Sequence, residues 1–419
     1  MDSTLLALQN PWWDSREALH RDSHLSQIQS ISYYFERPEL FSLVFASGDF
    51  HILRGPRQVG KTTLIKQWIR QLIFEKNVPA QAIFYLSCEG IETFQELQTT
   101  LALWLEKKNN SVYIFLDEIS FVSEWQRAVL WLSNAGLLNH ACLMVTGSNA
   151  RDLKESAERF PGRRGKGLDL RLYPLHIANY LELECFKQET PSRLLEIYFR
   201  TGGFPHAISD WVKLGYVSDE TYTTYKNWVI GDAARFGLAE ETLKHLFFRI
   251  AETLATRITW PALIESTPIR SHETALQYLE HLKEAFLCHI HYCYDPNKAA
   301  PAIQKSRKVY FIDPILYYLG YAWRKNIVNI SQWVENFLAS SETKGKLLES
   351  FFVVGASQKH PSVDYWYSTK EKKEVDLLIE REGGLRLFDI KWKESVSYNA
   401  LKRPVEILHA DSLISFLHL

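Results

Sequence analysis

"LRGPRQVGKTTL", residues 53–64, gathers two glycines, a proline, a lysine and two threonines between two apolar segments. Before it lies "FHIL" (50–53), short enough for a strand. After it comes "LIKQWIRQLIFEK" (64–76), where Leu64, Ile65, Trp68, Ile69, Leu72 and Ile73 recur at helical spacing. The run Gly55-Pro56-Arg57-Gln58-Val59-Gly60-Lys61-Thr62 satisfies G-x-x-x-x-G-K-[ST] in the strand–loop–helix setting that a phosphate-binding loop requires. Gly60 lets backbone amides curl inward onto a phosphate, and the helix N-terminus adds partial positive charge. Lys61 is placed to reach terminal phosphates, and the Thr62 hydroxyl to ligate Mg²⁺. Residues Gly55 to Thr63, Thr63 included, are therefore the expected cradle for ATP with Mg²⁺.

The rest of the composition sets limits. The chain has 419 residues, enough for two to four domains. With 46% hydrophobic and 23% charged residues it is globular, and a formal net charge of -1 denies it a general positive field. DNA, as a candidate partner, would need a local basic patch. Five scattered cysteines suit reduced thiols, no apolar run spans a membrane, and the start lacks a signal-peptide pattern. The expected location is the cytoplasm.

ATP turnover needs a carboxylate for the metal and a group that polarises water. "SVYIFLDEIS" (111–120) supplies both at the end of an apolar run of the kind buried on both faces of a sheet. Asp117 is the expected metal carboxylate and Glu118 the expected catalytic base. "AIFYLSC" (82–88) and "ACLMVTGSNA" (141–150) read as further strands, the latter placing Ser148 or Asn149 beside the γ-phosphate if it neighbours the cradle strand. "LDLRLYPL" (168–175) reads as a fifth strand. Alternating strands and helices predict an α/β fold, a parallel sheet with helices on both faces. The glycine-rich loop "ERFPGRRGKGLD" (158–169) offers Arg163 or Arg164 as the γ-phosphate arginine, in cis or from a neighbouring copy of the chain.

"NPWW", "LRGPRQVGKTTL", "FLDEIS" followed by Trp125, "VTGSNA", "PGRRG", "PL" at 174–175 and "TGGFP" at 201–205 occur in that order. This resembles the prokaryotic AAA-like ATPases of the archaeal-type group. The resemblance implies ATP binding by residues 1–175, a helical lid over 176–235 and a C-terminal domain resembling the PD-(D/E)XK nucleases. The glycine pair Gly202-Gly203 with Pro205 reads as a packing turn.

Residues 236–325 read as helix (243–255), short helix, helix (271–286, opened by Ser271) and a two-stranded ribbon, which is a winged-helix pattern. Arg270, His272, Gln277 and Lys283 would face DNA, although Glu273, Glu280 and Glu284 oppose phosphate contact, and "KSRK" (305–308) would form a basic wing. "CHIHYC" (288–293) reads as structural, because neighbouring ligands on one strand rarely close a tetrahedron. Residues 326–419 contain a hairpin with Asp376 and Asp389-x-Lys391, the D…(D/E)-x-K pattern. Asp376 and Asp389 would share a metal ion, Lys391 would orient water, and Glu349 on the preceding helix would complete the site, as the resemblance implies. Two readings stand. One is an Mg-dependent ATPase acting on DNA through the winged-helix and nuclease-like parts. The other is a nucleotide-gated switch that binds a protein partner, with a catalytically inactive nuclease-like platform.

Overall fold

The computed structural model describes residues 2–412, apart from 30, 32, 34–36, 149–159, 161, 361, 382–383 and 393–396. The chain divides into two compact units, Met1–Tyr173 and Pro174–Leu419. Among the described residues no helix is long and apolar enough to cross a membrane.

The first unit is built on five parallel strands: β1 (Phe50–Arg54), β2 (Ile83–Ser87), β3 (Val112–Asp117), β4 (Ala141–Gly147) and β5 (Asp169–Arg171). Their spatial order is β2-β3-β4-β1-β5. Strand side chains alternate between faces, and both faces here are apolar. Ile114 and Leu116 pack on one side against Leu97, Leu101 and Trp125, while Phe115 packs on the other against Leu64, Ile65 and Trp68. Those partners come from helices Lys61–Phe74, Phe94–Leu105 and Trp125–Asn134, so helices cover both faces. This is the fold of P-loop nucleoside triphosphatases.

The N-terminal segment covers the free edge of β2. Tyr85 N–H donates to Asn10 Oδ1 at 2.7 Å and Asn10 Nδ2 donates to the Tyr85 carbonyl at 2.8 Å. Ser87 N–H donates to Gln9 Oε1 at 2.7 Å, and both Trp12 and Trp13 donate their indole N–H to the Ile83 carbonyl. Side chains thus satisfy the ladder positions that a neighbouring strand would otherwise take.

The second unit opens with helices, including Pro191–Thr201, Pro205–Leu214 and Asp219–Arg235. The "TGGFP" glycines are dictated by packing. A Cβ on Gly203 would stand 1.9 Å from the Leu175 carbonyl oxygen, and one on Gly202 would stand 1.9 Å from the Asp313 carboxylate. Asp313 caps helix Pro314–Lys325 by accepting from Ile315 N–H at 2.9 Å, and also accepts from Gly203 N–H at 2.6 Å.

Helices Glu240–Glu252, Trp260–Ile264 and His272–Glu284 precede β6 (Cys288–Asp295), β7 (Ala300–Pro301) and β8 (Arg307–Phe311). Ser271 caps the third of them by accepting from Thr274 N–H. β6 and β8 are antiparallel, and Ile258 bridges to Arg307. Helix Ser341–Lys359 then leads to β9 (Val363–Ser368), β10 (Lys373–Arg381), β11 (Gly384–Ile390), β12 (Tyr398–Ala400) and β13 (Arg403–Leu408). β6 also pairs in parallel with β9 through Tyr292–Asp364 and Cys293–Tyr365. The segments expected as separate domains, 236–325 and 326–419, therefore share one sheet, of order β12-β13-β11-β10-β9-β6-β7 with β8 on β6.

Candidate functional site

β1 ends where the loop begins, and helix Lys61–Phe74 starts at the motif lysine. Two residues of the loop take left-handed backbone, Gln58 (φ 62°) and Gly60 (φ 99°). Gly60 has open space where a Cβ would be, so its glycine is demanded by conformation. Gly55 is demanded by proximity, since a Cβ there would meet the Leu172 carbonyl oxygen at 2.2 Å. Lys61 is buried and donates to the Gly55 and Pro56 carbonyls, both at 3.0 Å, while pairing with Glu118 at 3.0 Å.

Asp117 ends β3 and collects three hydroxyl donors. Thr62 Oγ1 reaches its Oδ2 at 2.6 Å, Tyr85 OH the same oxygen at 3.1 Å, and Thr146 Oγ1 its Oδ1 at 2.5 Å. Thr146 Oγ1 in turn accepts from Glu118 N–H at 3.0 Å. Glu118 has left-handed backbone (φ 51°), which turns its carboxylate away from Asp117 and towards Lys61. Burial alone would raise the Glu118 carboxyl, but the Lys61 ammonium, aided by Arg57 and Ser148, holds it below the ordinary carboxylate value. Burial and the Asp117 charge push the Tyr85 phenol far above its usual range, so it serves as a neutral donor. Thr62 and Asp117 offer one hydroxyl and one carboxylate oxygen side by side, a hard donor pair that suits Mg²⁺. Tyr85 and Thr146 were not anticipated, because in sequence they are ordinary strand residues.

Other expected residues fall differently. Ser148 is buried at the end of β4, which does neighbour β1, while Asn149 lies outside the described residues. Thr63 turns its hydroxyl to His24 Nδ1, 3.4 Å away, so only its backbone is left for the cradle. Arg164 requires a correction as a γ-phosphate arginine in cis. Its guanidinium donates to the Phe50 carbonyl and to Asp169 Oδ1 (2.9 Å), at the start of β1. The cradle lies at the opposite end of that strand, about 15 Å of extended chain away. Arg163, next to it, is exposed.

A second cluster lies in the C-terminal unit. Glu349 is carried by helix Ser341–Lys359, Asp376 by β10 and Asp389 by β11, with Lys391 just beyond. Lys391 Nζ pairs with Asp389 at 2.5 Å and with Asp376 at 3.7 Å, and Ile390 N–H donates to Asp376 Oδ2 at 3.0 Å. Lys308 was missed. Its Nζ lies 2.6 Å from Glu374, 2.7 Å from Glu349 and 3.0 Å from Asp376, with the side chain only 1% exposed. Tyr310 OH donates to Glu349 at 2.6 Å.

Burial opposes charge on Lys308, yet Glu349, Asp376 and Glu374 keep its ammonium protonated well above the usual lysine range. Burial, then the Asp376 charge, raises Glu349 to about 7. Burial with Asp376 beside it also raises Asp389 to about 7. Asp376 itself is buried, but Lys308 leads the groups that hold it ionised well below the ordinary range.

Two expectations need correction here. The shared metal of Asp376 and Asp389, completed by Glu349, does not fit. Among the described residues no group of three or more His, Cys, Asp or Glu could hold a metal ion, and ammonium groups bridge these carboxylates instead. The basic wing is also not formed by "KSRK". Arg307 sits buried in β8 with its guanidinium 3.8 Å from the Trp260 ring, and Lys308 fills the acidic pocket. On helix His272–Glu284 the exposed residues are His272, Glu273, Gln277, Glu280 and Lys283, two acids against one lysine.

Comparison with known proteins agrees with the nucleotide site. Residues 48–181 match the family model of an AAA domain, and residues 192–322 match a domain of unknown function (DUF8612). An uncharacterised protein of Haemophilus influenzae is 26% identical over 292 residues, 65% of this chain. The match spans 66% of that protein's length, under two thirds of it. Among solved structures, the Aeropyrum pernix ORC2 protein in its ADPNP–ADP complexes is 15% identical, with 76% of this chain and 96% of that one covered and a TM-score of 0.41. The Thermotoga maritima RuvB Holliday junction branch migration motor is 17% identical, with 61% and 89% covered and a TM-score of 0.33. Residues 48–181 are thus similar to an AAA domain, and the geometry of the first unit is that of a P-loop nucleotide site.

Proposed function

We propose that this protein is a cytoplasmic ATP-hydrolysing switch. Its AAA-type domain binds Mg-ATP at Gly55–Thr63, and its C-terminal unit is a platform that engages a protein partner. The observation that carries the catalytic part is the linked set Lys61, Thr62, Asp117, Glu118 and Thr146. Lys61 exchanges its loop carbonyls and Glu118 for phosphate oxygens when nucleotide enters. That exchange frees the Glu118 carboxylate to accept a proton from attacking water. Thr62 and Asp117 would hold Mg²⁺, which would supply charge neutralisation on the phosphates. Thr146 fixes both acids, one by its O–H and the other by its lone pair.

Lys61→Ala should leave a folded protein with far weaker Mg-ATP binding and no hydrolysis. Glu118→Gln should bind ATP as the wild type does while losing roughly 10² or more in rate, the scale of a catalytic base. Parallel loss of affinity and rate in the glutamine variant would make Glu118 a structural residue and sink the assignment.

The platform reading is favoured over DNA cleavage by the burial of Arg307 and Lys308 and by the acidic balance of helix His272–Glu284. The helix–ribbon topology of 240–311 still suits a winged helix, a unit that serves protein contacts as well as DNA. A γ-phosphate arginine drawn from the 160–167 loop would come from a second copy of the chain, with exposed Arg163 as the candidate. ATPase activity that rises with protein concentration and is lost in Arg163→Ala supports this. Activity indifferent to both removes Arg163 from the site.

A further inference from the structure

We propose that the Lys308 ammonium is the resident cation of the C-terminal carboxylate pocket and excludes a divalent metal from it. The pocket is therefore sustained by an internal ion pair network and is not a hydrolytic centre. This deepens the reading of the C-terminal unit as a platform and does not depend on the ATPase assignment.

The match of donors to acceptors carries the inference. A lysine ammonium has three N–H donors and no acceptor. Lys308 meets three carboxylates, Glu374, Glu349 and Asp376, all within 3.0 Å. These arrive from two directions, Glu349 from a helix and the other two from β10. Both Asp376 oxygens already have partners, Oδ1 with Lys308 and Oδ2 with Ile390 N–H and, at 3.7 Å, Lys391. Charge completes the case. A divalent ion bound by Asp376 and Glu349 would lie within a few ångströms of a buried ammonium, a like-charge contact with little solvent to screen it.

The lysine is also held from behind. Lys308 pairs with His291 in the β6–β8 ladder, and its neighbour Arg307 bridges to Ile258 while seated over Trp260. Withdrawing the Lys308 side chain would leave Glu349 without its cation, with Arg257 remaining on Glu374 at 2.7 Å and Lys391 near the buried Asp376 at 3.7 Å.

The test uses the full-length, nucleotide-free protein and Mn²⁺ as probe, with free Mn²⁺ followed by electron paramagnetic resonance. Wild type and Asp376→Asn should bind Mn²⁺ identically, because Asp376 ligates none. Lys308→Ala should gain one Mn²⁺ per chain, and Lys308→Ala/Asp376→Asn should lose it again. Mn²⁺ should correspondingly raise the melting temperature of Lys308→Ala but not of wild type. A Lys308→Ala protein that folds only when Mn²⁺ is supplied supports the proposal equally. A wild-type Mn²⁺ site that disappears in Asp376→Asn overturns it, as does a folded Lys308→Ala protein with no added site. If Lys308→Ala folds under neither condition, the wild-type and Asp376→Asn pair decides alone.

Discussion

Thr146 is the residue on which both acids of the nucleotide site depend, and it shows how far a motif can be read without its neighbours. Its hydroxyl donates to Asp117 and accepts from the Glu118 amide, so its two functions are used at once. Thr146→Val keeps the shape, strips Asp117 of a donor and leaves the Glu118 N–H unpaired in a half-buried place. An unpaired group of this kind costs about 1–3 kcal/mol. The variant should unfold at lower urea and lose ATPase rate beyond what the stability change explains, with the apparent Mg²⁺ requirement raised. Tyr85→Phe, which removes only one of three donors to Asp117, should be milder on every count. Equal and normal rates in both variants would show that Thr62 alone orients Asp117. Lys61, Thr62, Asp117 and Glu118 were legible in the sequence because spacing and type restrict them jointly. Thr146, Tyr85 and Lys308 were not. A threonine or tyrosine in a strand carries no local signal, and a lysine in "KSRK" looks solvent-facing until the fold brings three acids to it.

Elements followed the sequence where a periodic pattern met a stop signal, and departed from it where pairing was long-range. β1 to β4 and the helix after the cradle lie where apolar runs place them, while of the expected fifth strand over 168–175 only Asp169–Arg171 is paired, against β1. The order of strands, and the union of β6 with β9 in one sheet, depend on contacts between distant segments that no local pattern encodes. The "NPWW" stretch is another such case, since its role is to close the edge of β2. Asn10 makes two hydrogen bonds to Tyr85 that mimic a neighbouring strand. Asn10→Ala should lower the stability of the first unit by about 1–3 kcal/mol, the range for stranded buried partners. It should also raise aggregation, because an uncovered strand edge templates pairing. Chemical unfolding and light scattering check the two effects, and a variant with neither would mean that the tryptophans cover the edge unaided.

At the scale of the molecule, the two units keep their ionisable groups in different states, and their stabilities should respond differently to pH. In the C-terminal unit burial raises Asp313, Glu349 and Asp389, each to about 7. A carboxyl raised in the folded state binds a proton that the unfolded chain has released. The stability it contributes is present at low pH and is lost as pH climbs through about 7. Burial lowers His289 to about 4 and His291 to about 3 in the same unit. Their stability is full above the ordinary histidine value and is lost as pH falls towards 4. Between about pH 4.5 and 6.5 the two sets oppose each other, and above about 6.5 only the carboxyls still act. The C-terminal unit should therefore lose on the order of 1 kcal/mol or more between pH 6.5 and 8. The first unit has the reverse bias at its key acid, for Glu118 is held below the ordinary value by Lys61, so its stability should not fall over that interval. Both apolar clusters of the first unit draw all their members from residues 6–172, which makes a 1–173 fragment the natural reference. That fragment should fold cooperatively, bind ATP and give a flat urea midpoint from pH 6.5 to 8. Over the same interval a transition of the full-length chain absent from the fragment should move to lower urea. Asp313→Asn should reduce that movement, since it removes one of the three carboxyls raised to about 7. If the full-length chain and the fragment trace the same pH profile, the raised carboxyls are not what governs stability near neutrality.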